Sequence, residues 1–336
     1  MGSSALRVLY IGGTGTISSA CVRASVARGH AVTVLNRGSN IVAGRELPPD
    51  VRRLQADVRD PDSMRAALDG REFDVVANFL DFTADQVAQD VELFAGRVGQ
   101  FVFISSASAY QKPPSRLPVT ESTPLRNPLS QYARNKIACE DLLVRTYRER
   151  AFPMTIVRPS HTYDHTAIPM DGGWTVMERM RQGRPVVVPG DGTSLWTLTH
   201  HTDFAEAFVG LLGLPAAIGE AVHITSDEAL PWDAIYRTMA ARIGVEPQLL
   251  HVASDAVATF DAGLGEAWLA DKSHSMVFDN SKVKALVPGW RARIPFAKGA
   301  REIVDWYLAD ARRQQVDARL DGVFDAIVER YALPPR

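Results

Sequence analysis

The beginning of this chain, RVLYIGGTGTISSACVRASVARG, constrains its fold more than any other stretch. Residues 8–11 form a short apolar run that reads as a buried strand, and Gly12, Gly13 and Gly15 make a turn that opens straight into a helix. A strand, a glycine turn and a helix N-terminus in succession aim backbone N–H groups and the helix dipole at one point, a cradle for a pyrophosphate. The third glycine of the dinucleotide fingerprint is Ser18, still small enough for close helix packing. A second apolar strand follows at once in AVTVLNRG.

The alternation continues. A strand around residues 51–54, a helix from Pro61, a strand at 73–79, a helix at 83–94, a strand at 100–104, a helix carrying Tyr132 and a strand at 154–157 succeed one another. Such alternation demands a parallel sheet covered on both faces, an α/β Rossmann-type doubly wound fold over residues 1–160. Ligands of such sheets bind at the carboxyl ends of the strands, where the glycine turn, Asn36, Asn78 and Ser105 fall. An NAD site usually places a carboxylate about twenty residues after the glycines to hold the ribose 2'-hydroxyl. Asn36 and Arg37 stand there instead, so NADP is favoured over NAD, with Arg37 placed to meet a 2'-phosphate. Asp57 and Val58 fall where an adenine would be bracketed.

From residue 161 to 336 the elements shorten and proline and glycine become denser, with strands near 185–188, 196–199 and 221–224. This half reads as a smaller mixed α/β substrate lobe, some segments returning to the main sheet. A helix from Gln315 would set Val316, Leu320, Val323, Phe324, Ile327 and Tyr331 on one face and pack on the body.

Tyr132 and Lys136, four residues apart in SQYARNKIACEDLL, share one helical face. An ammonium beside a phenol favours the phenolate and lowers its pKa, so Tyr132 is a candidate general acid/base. The proline-rich stretch 112–128 just before that helix suits the mouth of a substrate site.

The 336 residues are 46% hydrophobic and 23% charged with net charge −2, which gives no electrostatic drive toward nucleic acid or an anionic membrane. No apolar run reaches membrane-spanning length and the first strand starts too early for a signal peptide, so a cytoplasmic protein is expected. Cys21 and Cys139 lie on separate helices and read as reduced, packed thiols. His161, His165, His200 and His201 lack flanking acids or cysteines at ligand spacing, so no metal is expected. Strand alternation puts His200 on the face of Trp196, with one of the adjacent histidines in the lobe and the other in solvent. Asp81 reads as the cap of the helix from Thr83.

GGTGTIS, FVFISSASAYQ, YARNK and IVRPS, in that order and spacing, resemble the extended short-chain dehydrogenase/reductases, the NAD(P)-dependent epimerase/dehydratase-like group. PGDGTSLWTLTHHTDFAEAF and FDNSKVKALVPGW also look like that family's substrate lobe, so the similarity covers nearly the whole chain. It implies that Ser106 bonds the reacting oxygen, Tyr132 passes the proton, and Lys136 tunes Tyr132 and holds the nicotinamide ribose. Ser105 and Ser108 are neighbouring rivals, Ser108 being placed to line the pocket. The expected cofactor contacts are Gly12, Thr14, Gly15, Thr16, Ile17, Asn36, Arg37, Asp57, Val58, Asn78, Phe79, Leu80, Ser105, Tyr132, Lys136 and Pro159.

The resemblance then divides. Sugar-nucleotide dehydratases of this family carry an Asp-Glu pair after the catalytic hydroxyl, whereas this chain has Ala107 and Ser108, which argues against 4,6-dehydration. Where relatives place an asparagine and a diphosphate-gripping arginine, His161 and Trp196 stand. Arg158 reads as structural, and Lys272 and His274 are candidate cation contacts from the lobe. With Ser108, His161 and Trp196 as substrate contacts, the expected function is an NAD(P)-dependent oxidoreductase or epimerase. It would move a hydride at a secondary alcohol or ketone of a sugar-like, or nucleotide-sugar, substrate. The alternative is a non-catalytic dinucleotide-sensing or RNA-binding relative. Expected partners are a small sugar-like molecule, no nucleic acid and no membrane, with a homodimer as the candidate assembly.

Overall fold

β1 (Arg7–Ile11), β2 (Ala31–Asn36), β3 (Arg52–Gln55), β4 (Val75–Asn78), β5 (Gln100–Ile104) and β6 (Met154–Pro159) join strand Ala221–Ile224 in one seven-stranded sheet. The computed structural model describes residues 5–38 and 42–332. Every pairing in the sheet is parallel, and the order runs from Ala221–Ile224 through β6, β5, β4 and β1 to β2 and β3. The chain therefore leaves β1 toward β2 on one side and returns to β4 on the other. Ile11 lies beside both Leu35 and Asn78, so the carboxyl ends of three strands stop at one level and open a crevice between them.

β1 and β5 are buried almost end to end, as strands covered on both faces must be. Alternation then sorts their side chains. Val8 and Tyr10 pack with Val22 of helix α1 (Ser18–Ala27) and with Phe204 and Phe208 of helix His201–Leu211. Leu9 and Ile11 face α2 (Pro61–Leu68), α3 (Ala84–Phe94) and α4 (Gln131–Arg150), through Met64, Val87, Val91, Cys139 and Leu143. Cys21 and Cys139 are thus free, buried thiols in different layers. A third core, around Trp174, Trp232 and Trp268, belongs to the later half of the chain.

Several expectations shift. Residues 196–199 are not one strand: Leu195–Trp196 pairs with Leu230–Pro231, while Thr199–His200 pairs with Thr162–Tyr163. That breaks the alternation argument for the adjacent histidines. Both are buried, His200 bonding Glu302 through Nε2 at 3.0 Å and His201 lying against it with 4.5 Å between ring centroids. Asp81 does not cap α3; Thr83 does, in a reciprocal capping box with Gln86. The last helix, Ala318–Tyr331, buries Leu320, Phe324 and Ile327 on the body and is tied down by Arg179 to Asp321 and Asp325. It starts after Val316, which stays exposed. Among the described residues no helix is long and apolar enough to cross a membrane.

Candidate active site

A groove of about 640 Å³ runs along the carboxyl ends of β1, β2, β4 and β5. Its floor is the glycine turn. Gly12 adopts φ +85°, and a Cβ there would come within 2.4 Å of Leu80; one on Gly13 would come within 2.7 Å of Val34. Turn and neighbouring strands therefore touch backbone to side chain, whereas Gly15 faces open space apart from Ser18, whose Oγ accepts from its N–H at 2.8 Å. α1 begins behind Ile17 with no side chain capping its first turn, while α2, α3 and α4 are capped by Asp60, Thr83 and Ser130. A bare helix start beside an open glycine fits a pyrophosphate, because the free N–H groups and the dipole both favour an anion.

Thr14, Thr16, Ile17, Phe79, Leu80, Ser105 and Pro159 line the groove with Gly12 and Gly15, and Asn36 and Arg37 stand at its end. Asn36 Oδ1 accepts from Gly38 N–H at 2.9 Å, which shapes the turn after β2 and leaves Arg37 exposed. Three expected contacts fall elsewhere. Asp57 Oδ1 accepts from the N–H of Arg59 at 3.0 Å in the turn before α2, and Val58 lines a separate cleft between α2 and α3, so neither borders the groove. Beside Asn36 and Thr14 a recess of about 260 Å³ is lined by Arg53, Leu54 and Gln55, which sequence reasoning passed over. Asn78 is buried beneath the groove: its Oδ1 accepts from Leu80 and Asp81 N–H at 2.7 and 3.1 Å. It holds the strand end and has no surface to offer a ligand.

Tyr132 and Lys136 project from the first turns of α4, as their spacing requires. Lys136 is buried and its Nζ donates to the carbonyls of Asp81 at 2.6 Å and Ile104 at 2.8 Å. Burial pulls its pKa down to about 8, and Asp81 and Glu140 oppose that. The ammonium is thus directed past the phenol, 5.9 Å from the Tyr132 ring centroid. This corrects the expected lowering of Tyr132. Although Tyr132 is 43% exposed toward the open cavities, burial of its inner flank raises the phenol. Ser106 pulls it back in part, and the Asp271 carboxylate adds to the rise. Ser106 Oγ accepts from both the N–H and the hydroxyl of Ser108, at 3.1 and 2.9 Å. Its rival Ser105 instead donates to Glu140 Oε1 at 2.5 Å.

Behind Lys136 lies a feature the sequence reading missed. Asp81 and Asp90 are both buried, with Asn78 Nδ2 donating to Asp90 Oδ2 at 2.5 Å and Asp81 Oδ2 left without a hydrogen-bond partner among the described residues. Asp90 interrupts the apolar stripe of Val87, Val91 and Phe94 on α3, a signal available in the sequence. Burial pushes Asp81 up to about 6, and burial together with Asp81 raises Asp90. The folded state therefore holds a proton here more tightly than the unfolded chain does. The resulting stability is complete below the ordinary carboxylate pKa and is lost as pH rises through about 6. Asp90→Asn, which keeps the shape and removes one charge, is expected to stabilise the protein by roughly 1–2 kcal/mol at pH 8 and not at pH 4. Thermal unfolding at the two pH values checks this; an equal gain at both would show that the pair does not titrate.

Beyond Tyr132 a second cavity, of about 350 Å³, is walled by Ser106, Ser108, Asn127, His161, Trp196 and Lys272 among others. The three expected substrate contacts, Ser108, His161 and Trp196, meet here. The loop 112–128 contributes Lys112 and Asn127, consistent with a mouth. His161 packs edge-on to Trp196 and Trp232, at 5.7 and 5.9 Å between centroids. Burial and the nearby Lys272 pull its pKa down to about 4, so it is neutral near pH 7. His274 is not part of the wall.

A parallel sheet with its crevice between β1 and β4, and a Ser, Tyr and Lys group at the crevice edge, define the Rossmann-type extended short-chain dehydrogenase/reductases. Within them the chain belongs to the NAD dependent epimerase/dehydratase family, whose pattern matches residues 8–224. The 2'-dehydrokanamycin reductase of Streptomyces kanamyceticus is 30% identical over 97% of this chain and 91% of its own length. The chloroplast stem-loop binding protein of 41 kDa b of Arabidopsis thaliana is 27% identical over 97% and 85%. The crystal structure of the UDP-glucose 4-epimerase of Thermus thermophilus in complex with NAD superposes with a TM-score of 0.72 at 22% identity, covering 90% of this chain and 99% of that one.

Proposed function

We propose that this protein is an NADP(H)-dependent reductase or dehydrogenase acting on a secondary alcohol or ketone of a sugar-like molecule, with Tyr132 as the acid/base. The observation that carries the reading is that Tyr132, Pro159 and Thr162 are the wall shared by the groove and the second cavity. A dinucleotide in the first and a substrate in the second would meet at the phenol. The dinucleotide supplies or accepts the hydride. Tyr132 moves the proton on the substrate oxygen, Ser106 orients that oxygen, and Lys136, anchored by two carbonyls, holds a positive charge near the phenol.

Ala107 and Ser108 hold the positions of a dehydratase's acid pair, and neither side chain has a proton to give near pH 7, so the reaction proposed is net hydride transfer and not dehydration. The reductase among the relatives favours the same choice. Stoichiometric NAD that survives gel filtration would point to an epimerase instead, and failure to bind any dinucleotide would point to a non-catalytic relative like the stem-loop binding protein.

Arg37, exposed at the groove end with Asn36 in place of a carboxylate, carries the NADP preference. Arg37→Ala is expected to weaken NADPH binding about tenfold, the equivalent of about 1.4 kcal/mol, and to leave NADH within about twofold. Fluorescence titration with both nucleotides decides it; parallel losses for the two would remove Arg37 from phosphate recognition. Transfer of deuterium from deuterated NADPH to a product carbon tests the reaction class itself.

A further inference from the structure

Two residues that line the cavity beyond Tyr132 carry buried polar atoms with no partner among the described residues, Asn127 Oδ1 and Trp196 Nε1. Each residue is only 2% exposed. The Asn127 amide cannot turn, because its nitrogen donates to the carbonyls of Ser108 at 3.0 Å and Ala270 at 2.9 Å. Trp196 is wedged against Trp232 and His161, with Lys112 Nζ 5.4 Å from its ring centroid. A buried group without a partner costs about 1–3 kcal/mol, so an unmet acceptor and an unmet donor carried by two residues that line one cavity mark places for a ligand's polar atoms. A hydroxyl serves either one. Trp232 Nε1 is also without a partner, but Trp232 does not border the cavity.

The charges of the cavity are already spent on one another. Lys112 Nζ pairs with Asp271 at 2.9 Å and Lys272 Nζ pairs with Asp171 at 2.9 Å, with both lysine side chains almost wholly buried. Asp171 is further held by Trp268 Nε1 at 2.7 Å. Among the described residues no arginine lines the cavity, and His161 is neutral near pH 7. A diphosphate entering it would lose its hydration and meet no uncompensated cation, a cost that paired lysines do not return. The volume of about 350 Å³ lies at the small end for ligand sites.

We infer that this cavity takes a polyhydroxylated ring bearing no phosphate, such as a free sugar, cyclitol or glycoside, with Asn127 accepting from one ring hydroxyl and Trp196 donating to another. The inference rests on the hydride-transfer reading above and names its substrate class. Nucleotide sugars are excluded by it.

The test uses the full chain with NADP⁺ bound, a state established first by fluorescence titration; a protein that binds no dinucleotide fails the underlying reading and not this one. Calorimetric titration then compares methyl glycosides, myo-inositol and disaccharides with UDP, UDP-glucose and dTDP-glucose, and NADPH formation is followed with each. At least one phosphate-free compound is expected to bind and to be oxidised, with no binding of UDP, UDP-glucose or dTDP-glucose to the NADP⁺ complex. Trp196→Phe, which keeps a ring and removes the N–H, is expected to weaken that compound about tenfold and leave NADP⁺ affinity unchanged. Binding of UDP or either nucleotide sugar overturns the inference. So does silence from the whole phosphate-free set, or equal affinity in Trp196→Phe. The comparison of the two ligand sets on the unaltered protein stands even if the variant fails to fold.

Discussion

Tyr132→Phe is expected to lower kcat by about 10²–10⁴-fold while dinucleotide affinity stays within about twofold. The change removes only the phenolic oxygen, and the groove does not depend on it. Lys136 is held by the carbonyls of Asp81 and Ile104, and the neighbouring Phe82 ring, 6.1 Å away between centroids, packs on the ring that phenylalanine preserves. Steady-state kinetics with the best substrate, alongside NADPH titration, separates the two quantities. Turnover within tenfold of the unaltered protein would take the acid/base role from Tyr132. The pH profile carries a second sign. With Lys136 pulled down to about 8, the positive charge it holds 5.9 Å from the Tyr132 ring is lost as pH rises past that value, so activity should decline above pH 8. An activity still climbing at pH 9.5 would show that the Lys136 charge is not used.

Arg158→Leu is expected to cost about 3–5 kcal/mol of stability. Arg158 on β6 is buried and bonds Glu140 on α4 through Nε at 3.0 Å and Nη2 at 2.5 Å, with Tyr110 Oη 3.1 Å from Nη1. Glu140 is equally buried and also accepts from Ser105. Removing the arginine leaves a carboxylate in the interior with its ion-pair partner gone, and only the Ser105 hydroxyl and the charge of Lys136 one helical turn away to offset it. The paired change Arg158→Leu with Glu140→Leu should recover most of the loss, since matched apolar residues often replace a buried ion pair at little net cost. Urea unfolding of the single and double variants measures both terms. A single-variant loss below 1 kcal/mol would mean that water reaches the pair.

The candidate site divides by how far apart in the chain its parts lie. The glycine turn and the Tyr132 and Lys136 face concern residues within a turn of one another, where spacing dictates geometry, whereas the choice of Ser106 over Ser105 was implied by the family resemblance. Asn127 could not be found that way. It is an ordinary asparagine in a proline-rich loop until its amide bridges Ser108 and Ala270, the latter 143 residues away. The same holds for Lys112 and Lys272, which look like free cations until Asp271 and Asp171 neutralise them. Asp57 and Val58 do not border the groove although β3, Arg52–Gln55, lies within one residue of the expected strand, because the chain turns away directly after it, with Asp57 Oδ1 accepting from Arg59 N–H.

The sequence by itself determined the parallel sheet, the glycine turn after its first strand and the shared helical face of Tyr132 and Lys136, because these rest on short-range periodicity and on the stereochemistry of glycine and helix faces. Only the tertiary structure decided the electrostatics. Whether a lysine points at a phenol or past it, whether a cation is free or paired, and whether an indole N–H finds an acceptor all depend on burial and on distant partners. Burial raises Tyr132 where spacing alone had lowered it. Ion pairing engages both lysines that line the second cavity, because desolvation and pairing are properties of three-dimensional neighbours, which no local pattern encodes.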